Sequence, residues 1–156
     1  MDYFLSEDQK SIRDLARRIA EERVVPVRAE LDEKEEFPWE PLKYLAEVGL
    51  FGVYIPEEYG GLGCGSFENC LAIEEISRAC IGVSVSFAAS GLGSYPILLF
   101  GNEEQKKKYL PDIASGKKLG AFGLTEAGAG SDAGGIRTTA RKEAGRLRPN
   151  GSGCRE

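Results

Sequence analysis

The first 48 residues contain no glycine, and the 108 that follow contain all 20. Glycine costs a helix interior about 1 kcal/mol relative to alanine, and elsewhere it supplies left-handed turns that other residues avoid. This partition predicts a helical first third, followed by elements that turns interrupt often. Ser6-Glu7-Asp8-Gln9 opens the helical stretch as a capping box, with the Ser6 oxygen placed to accept the backbone N–H of Gln9. Ile12, Leu15, Ala16 and Ile19 follow at helical spacing and predict one long amphipathic helix. Pro26 lacks the N–H that the helical ladder needs, so it is expected to kink or end that helix.

A second helix is expected from Trp39 to Val48, with Leu42, Leu45, Ala46 and Val48 as its apolar stripe, Gly49 as the left-handed terminator and Leu50 closing the cap. Phe51 to Ile55 is apolar but short, and Pro56-Glu57-Glu58-Tyr59-Gly60-Gly61 reads as a turn-rich link between helices. Helical periodicity resumes from Ser66 to Ala79, where Glu74-Glu75 reads as a structural helix face. Ile81 to Phe100 is apolar and rich in small residues throughout, which predicts a buried central helix. Asn102-Glu103-Glu104-Gln105 is a second capping box, and Pro111 suits the first turn of a short further helix ending near Gly116. Five or six helices make the fold class mainly α.

Beyond Leu119 the pattern changes. Gly120 to Leu124 and Ile136 to Lys142 are candidate short strands, with a glycine loop from Glu126 to Gly135 between them. Residues 144–156 lack apolar alternation and hold both glycine and proline breakers, so they are expected to be an irregular tail that cannot continue the sheet. The expected organisation is a helical domain over 1–118, the start of a β domain over 119–143, and the tail.

Composition excludes several classes. With 42% hydrophobic and 29% charged residues, and no segment expected to form the roughly 20-residue apolar helix that crosses a bilayer, the chain reads as soluble and globular, without a membrane span. Residues 1–136 carry 14 Lys/Arg against 23 Asp/Glu, and only the short end, 137–156, is basic, with 6 against 2. That balance disfavours nucleic acid as a partner. Histidine is absent, which removes Ser-His-Asp and Cys-His machinery and the commonest metal ligand. Cys64, Cys70, Cys80 and Cys154 form no Cys-x-x-Cys pair; they are expected to be buried small hydrophobes in a reduced protein, and no metal site is expected. The opening MDYFLSEDQK has neither a basic leader nor an apolar stretch, so the expected location is cytoplasmic.

The chemistry-bearing stretch is Ala121-Phe-Gly-Leu-Thr-Glu-Ala-Gly-Ala-Gly-Ser-Asp132, in which small and hydroxylated residues let backbone come close to a ligand with N–H groups free to donate. Gly128-x-Gly130-x-x-Ala133 matches the dinucleotide fingerprint in form only, because no apolar helix follows it; no Walker A sequence occurs either. Glu126 and Asp132 read as structural, with Asp132 bonding local N–H groups, since six residues of flexible loop fix no carboxylate separation.

Phe122-Gly-Leu-Thr-Glu-Ala-Gly-Ala-Gly-Ser-Asp132, Pro56-Glu-Glu-Tyr-Gly-Gly61 and Gly101-Asn-Glu-Glu-Gln-Lys-Lys-Lys-Tyr-Leu110 occur in one order. By these three motifs the chain resembles the amino-terminal part of the acyl-CoA dehydrogenases, over about residues 3–143. The resemblance implies a helical first domain, a β middle domain and a final helical bundle, an FAD cofactor and a homo-oligomer when full length. It implies oxidation of an acyl-CoA to a trans-2-enoyl-CoA: a Glu takes the α proton while the β hydrogen passes as hydride to flavin N5, and electrons leave to an electron-transfer flavoprotein. By analogy that Glu lies in the final bundle, so no catalytic residue is expected here and the chain is expected to be an inactive fragment.

The family's flavin-loop roles carry over to Phe122, which would press on the isoalloxazine ring, to Leu124 through its backbone, and to Thr125 beside the N1 and C2 carbonyl edge. Gly130 would admit close backbone approach, and Ser131 would touch both the cofactor and the acyl-CoA substrate. Ala88, Ala89, Ser90 and Gly91 lie where the family's segment nears the end of the acyl pocket, although close helix packing explains them slightly better. Ala127 stands where the family usually has Pro, and residues 144–156 depart from it in a way that suggests an interrupted or misread gene. The rival reading is a non-catalytic helical oligomerisation or interaction module derived from the same family.

Overall fold

A computed structural model describes residues 4–141, together with the backbone of 142–143 and 146–150. Cys154 and the tail positions 144–145 and 151–156 lie outside the described residues. Six α-helices are present: α1 (Glu7–Ile19), α2 (Arg28–Lys34), α3 (Trp39–Glu47), α4 (Ser66–Ala79), α5 (Ile81–Phe100) and α6 (Glu103–Ala114). Two strands follow, β1 (Thr139–Glu143) and β2 (Arg146–Asn150). The chain divides into two units, one ending at Ala121 and the other beginning at Phe122.

The two capping boxes start α1 and α6: Gln9 N–H donates to Ser6 Oγ at 3.2 Å and Gln105 N–H to Asn102 Oδ1 at 2.9 Å, and each Gln side chain accepts the cap residue's own N–H in return. Ahead of Pro26 the first helix widens into a π-turn over Ala20–Val24, in which Val25 N–H donates to Ala20 O at 2.9 Å, and α2 begins only beyond the proline. The widened turn accommodates a ring that would otherwise strike the carbonyl four residues back. Gly49, at φ +79°, ends α3 as the spacing predicts. Pro111 lies inside α6 and starts no separate helix, correcting the expected short successor: only its own N–H is missing from a ladder that continues to Ala114.

The main core joins α1, α3, α4 and α5 through Ala16, Leu45, Ala72, Ile76 and Phe87, with Phe51 packed edge-on against Phe87 at a centroid distance of 5.0 Å. Phe51 to Ile55, expected only to link helices, is a pair of tight turns at the centre of the unit: Leu50, Phe51, Val53 and Ile55 are all buried. Behind it the Gly60-Gly61 loop folds back so closely that a Cβ on Gly61 would stand 1.9 Å from Ile55 O. A second cluster joins Tyr54, Ile55 and Tyr59 to Leu110, Ile113 and Ala114 of α6.

One helix differs from expectation. The α5 helix buries one face, Val83, Ser84, Phe87, Ser90, Gly91 and Ser94, while Ile81, Val85, Leu92, Leu99 and Phe100 stand exposed, so it is not wholly buried. A helix apolar all round gives no phase from which to read its outer face. By length and composition alone its 20 residues also meet the requirement for crossing a membrane, contrary to the sequence reading. In this fold its serines bind neighbours: Ser84 Oγ donates to Ile73 O at 3.1 Å, and Ser94 Oγ lies 2.6 Å from Tyr54 Oη. In α4, Glu75 is buried and held by Arg17 Nε and Nη2 at 3.0 and 2.8 Å and by Arg78 Nη1 at 2.8 Å, a structural role as expected. Cys64 and Cys70 are exposed and Cys80 partly so, correcting their expected burial: Cys64 is on a surface turn, and Cys70 points away from the face formed by Leu71, Ala72, Glu75 and Ile76.

The tail also departs from expectation, because Arg146–Asn150 forms β2, antiparallel to β1 with Glu143 opposite Arg146 and Ala140 opposite Pro149. Strand pairing uses backbone groups, so missing side-chain alternation did not prevent it. Two residues separate the strands, which makes Glu143 and Arg146 the hydrogen-bonded pair and puts Pro149, three steps on, where no N–H is needed.

Candidate functional site

The route into the loop is set by close backbone packing at the end of the helical unit. A Cβ on Gly93 of α5 would meet Ala121 N at 2.5 Å, and one on Gly120 would meet Ser90 O at 2.7 Å, so only glycines let this segment lie against the helix. Gly120 N–H donates to Ser90 Oγ at 3.2 Å. Ser90 and Gly91 are buried in this packing, which supports helix packing as the reason for small residues there.

The second unit begins with the five residues singled out as cofactor-binding. Phe122 is 48% exposed and Leu124 46% exposed; Thr125, Gly130 and Ser131 are exposed as well. Gly120 to Leu124 forms no strand, contrary to expectation, since no described strand lies beside it to pair with. The β region expected from Ile136 begins at Thr139, after a short turn over Ala133–Gly135.

Glu126 organises the loop, which sequence reasoning treated only as structural in a general sense. Its backbone N–H donates to Ala129 O at 3.0 Å and Ala129 N–H donates back to Glu126 O at 3.1 Å. Its carboxylate accepts Arg137 N–H at 2.9 Å and Thr138 N–H at 2.8 Å. Hydrogen bonds from Thr138 first, then from the Arg137 backbone, hold the Glu126 carboxyl below the ordinary carboxylate range. Asp132, expected to bond local N–H groups, accepts Gly135 N–H at 3.0 Å through its backbone carbonyl. Among the described residues the Thr125 and Ser131 hydroxyls and the Thr125 and Gly130 N–H groups have no partner, so Ser131 does not cap the turn.

The loop's glycines make the fit test for a flat cofactor. Gly123, Gly128 and Gly130 have nothing within 4 Å of a built Cβ, and none lies in the left-handed region. Neither crowding nor backbone conformation within the chain calls for them. The exposed ring of Phe122 and the unpaired donors beside it are of a kind that suits an aromatic ring with acceptor edges. In the helical unit a groove of about 690 Å³ runs along Trp39, Lys43 and Lys117, and both Lys117 and Lys118 are paired to Asp112.

The family model for the acyl-CoA dehydrogenase N-terminal domain matches residues 6–117. The chain belongs to the acyl-CoA dehydrogenase family. It is 45% identical over 150 residues to an acyl-CoA dehydrogenase of Bacillus subtilis, covering 95% of this chain and 39% of that protein. Among solved structures it resembles an acyl-CoA dehydrogenase of Bacillus anthracis complexed with FAD, at 45% identity and a TM-score of 0.85 over 95% of this chain and 26% of that one. It also resembles a chain solved in work on the electron transferring flavoprotein of Acidaminococcus fermentans, at 41% identity and a TM-score of 0.88 over 97% of this chain and 40% of that one. The chain thus spans about two fifths of the length of the curated acyl-CoA dehydrogenase it matches. The match bears out the mainly α reading of residues through α6, within the family's helical first domain.

Proposed function

We propose that this chain supplies the helical amino-terminal part and the flavin-facing loop of an FAD-dependent acyl-CoA dehydrogenase, a fragment that is inactive alone. The observation carrying this is a loop of open glycines and unpaired donors placed directly after a helical unit of that family. Phe122 offers a ring face, Leu124 and Gly130 offer backbone, and Thr125 and Ser131 offer exposed hydroxyls; Ser131 would also touch the acyl-CoA. Bound FAD would supply the hydride acceptor for α,β-oxidation of the acyl-CoA. What these residues contribute is orientation: an apolar face against the ring and donors aimed at the edge where negative charge gathers. In the whole protein the acceptor of the electrons would be an electron-transfer flavoprotein, the assembly a homo-oligomer and the compartment the cytoplasm.

Titrating FAD to millimolar concentration into the ¹⁵N-labelled chain tests the reading. Amide shifts are expected at residues 122–131, with no yellow colour surviving gel filtration because the loop alone buries little of the cofactor. Shifts confined to the helical unit would overturn it. The exposed apolar face of α5, from Ile81 to Phe100, favours the second reading, a non-catalytic oligomerisation module. Self-association that Val85→Glu abolishes, together with no response to FAD, would favour that module.

A further inference from the structure

We propose that Glu126 is a positioning residue for the flavin-facing loop, a clamp that fixes the loop's shape before any cofactor arrives; this rests on the flavin reading above. Residues 127–136 leave Glu126 and return to it. At one end the Glu126 backbone exchanges two hydrogen bonds with Ala129, the one buried apolar residue described in this unit, 3% exposed. At the other, the two carboxylate oxygens each take one of two successive N–H groups, Arg137 at 2.9 Å and Thr138 at 2.8 Å. Charge-assisted bonds of this kind are roughly twice as strong as neutral ones, and a bidentate pair fixes direction as well as distance.

Two consequences distinguish this clamp from an ordinary surface carboxylate. Arg137 and Thr138 present adjacent amides that would themselves attract an anion, and the Glu126 carboxylate already fills that place. The amides of Thr125 and Gly130 stay among those the loop leaves unpaired, while the two at its return are taken up. A loop rich in glycine also pays a large ordering cost when it binds, and a closure made in advance removes part of that cost from the binding step. Glu126 touches no reacting atom in this account; it acts through Thr125, its neighbour in the chain.

The test compares the wild-type chain with Glu126→Gln and Glu126→Asp, each ¹⁵N-labelled, by amide exchange and by FAD titration. In the wild type the Arg137 and Thr138 amides should exchange about tenfold more slowly than those of Thr125 and Gly130, and Glu126→Gln should remove that difference. The same variant should weaken the FAD response at Thr125 and Ser131 about fivefold, and Glu126→Asp, which keeps the charge on a shorter arm, should recover part of it. Signals from the helical unit should stay unchanged in both. An FAD response in Glu126→Gln equal to wild type, or slow exchange at Arg137 and Thr138 that survives the substitution, overturns the proposal. Slow exchange at those amides in a wild type that shows no FAD response defeats the flavin reading instead, and leaves the clamp with nothing to position.

Discussion

The two units of this chain satisfy themselves to very different degrees. The helical unit satisfies nearly all of its described buried groups, Asn69 Oδ1 excepted: both capping boxes are complete, the buried carboxylate of Glu75 has two guanidinium partners, and Arg28 donates at 2.6 Å to Ala79 O, one of the carbonyls left open at the end of α4. The unit from Phe122 onward leaves Phe122, Leu124 and Ile136 exposed and donors unpaired, and backbone pairing and a single carboxylate hold it. Such a surface leaves exposed apolar side chains and unpaired donors on offer to a ligand or a partner. The exposed apolar face of α5 is one place where the helical unit shares that property.

The contrast breaks most visibly where backbone meets backbone. Gly61→Ala would press a methyl group into Ile55 O and Gly52 O, both main-chain atoms that cannot swing aside. Overpacking of this kind costs about 3 kcal/mol, and the loss should appear as a lowered midpoint in urea read by far-ultraviolet circular dichroism. Glu75→Gln comes next. Removing the carboxylate leaves Arg17 and Arg78 without their shared partner, but both reach solvent, so the cost should be about 2 kcal/mol rather than the 3–5 of a fully enclosed pair. The same pair carries a pH dependence. The Arg17 guanidinium, seconded by Arg78, holds the Glu75 carboxyl below its ordinary 4.5 against the opposing effect of burial. A carboxyl lowered in the folded state stabilises fully above its unfolded value and loses that contribution as pH falls through its folded one. Wild-type stability should therefore decline below pH 4.5 more steeply than that of Glu75→Gln, and parallel acid titrations would contradict the assignment.

What could be read in advance follows the same division of local from distant. Capping boxes at Ser6 and Asn102 lie within four residues, and Gly49 needs only its own conformation, so all three were legible. Glu75 was not, because its partner Arg17 stands 58 residues away, and neither was Glu126, whose partners are 11 and 12 residues on. Phe51 to Ile55 forms the centre of the core without showing any period, since three-residue turns are too short to display one. The pairing of β2 escaped for another reason: a backbone ladder leaves no mark in a sequence whose side chains do not alternate. The proposed flavin roles of Phe122, Leu124, Thr125, Gly130 and Ser131 rest on family resemblance, and composition alone would have left them a surface loop.

The smallest expected effect sharpens the comparison most. Gly128 has open space around a built Cβ and no left-handed backbone, so Gly128→Ala meets no obstacle in the folded chain. Alanine also restricts the unfolded chain, which favours folding slightly, and the net change in stability should fall within about 0.5 kcal/mol. If the glycine is there for a visiting cofactor, the same methyl group should weaken the FAD response at Thr125 and Ser131 while thermal and urea midpoints stay where they were. A variant as responsive to FAD as wild type would mean that the open space at Gly128 serves no ligand. A variant that unfolds early would mean that the loop is packed more tightly than its surroundings indicate. In Gly61→Ala the added methyl is read by stability, and in Gly128→Ala it is read by ligand, which is the difference between a residue the fold needs and one the fold merely permits.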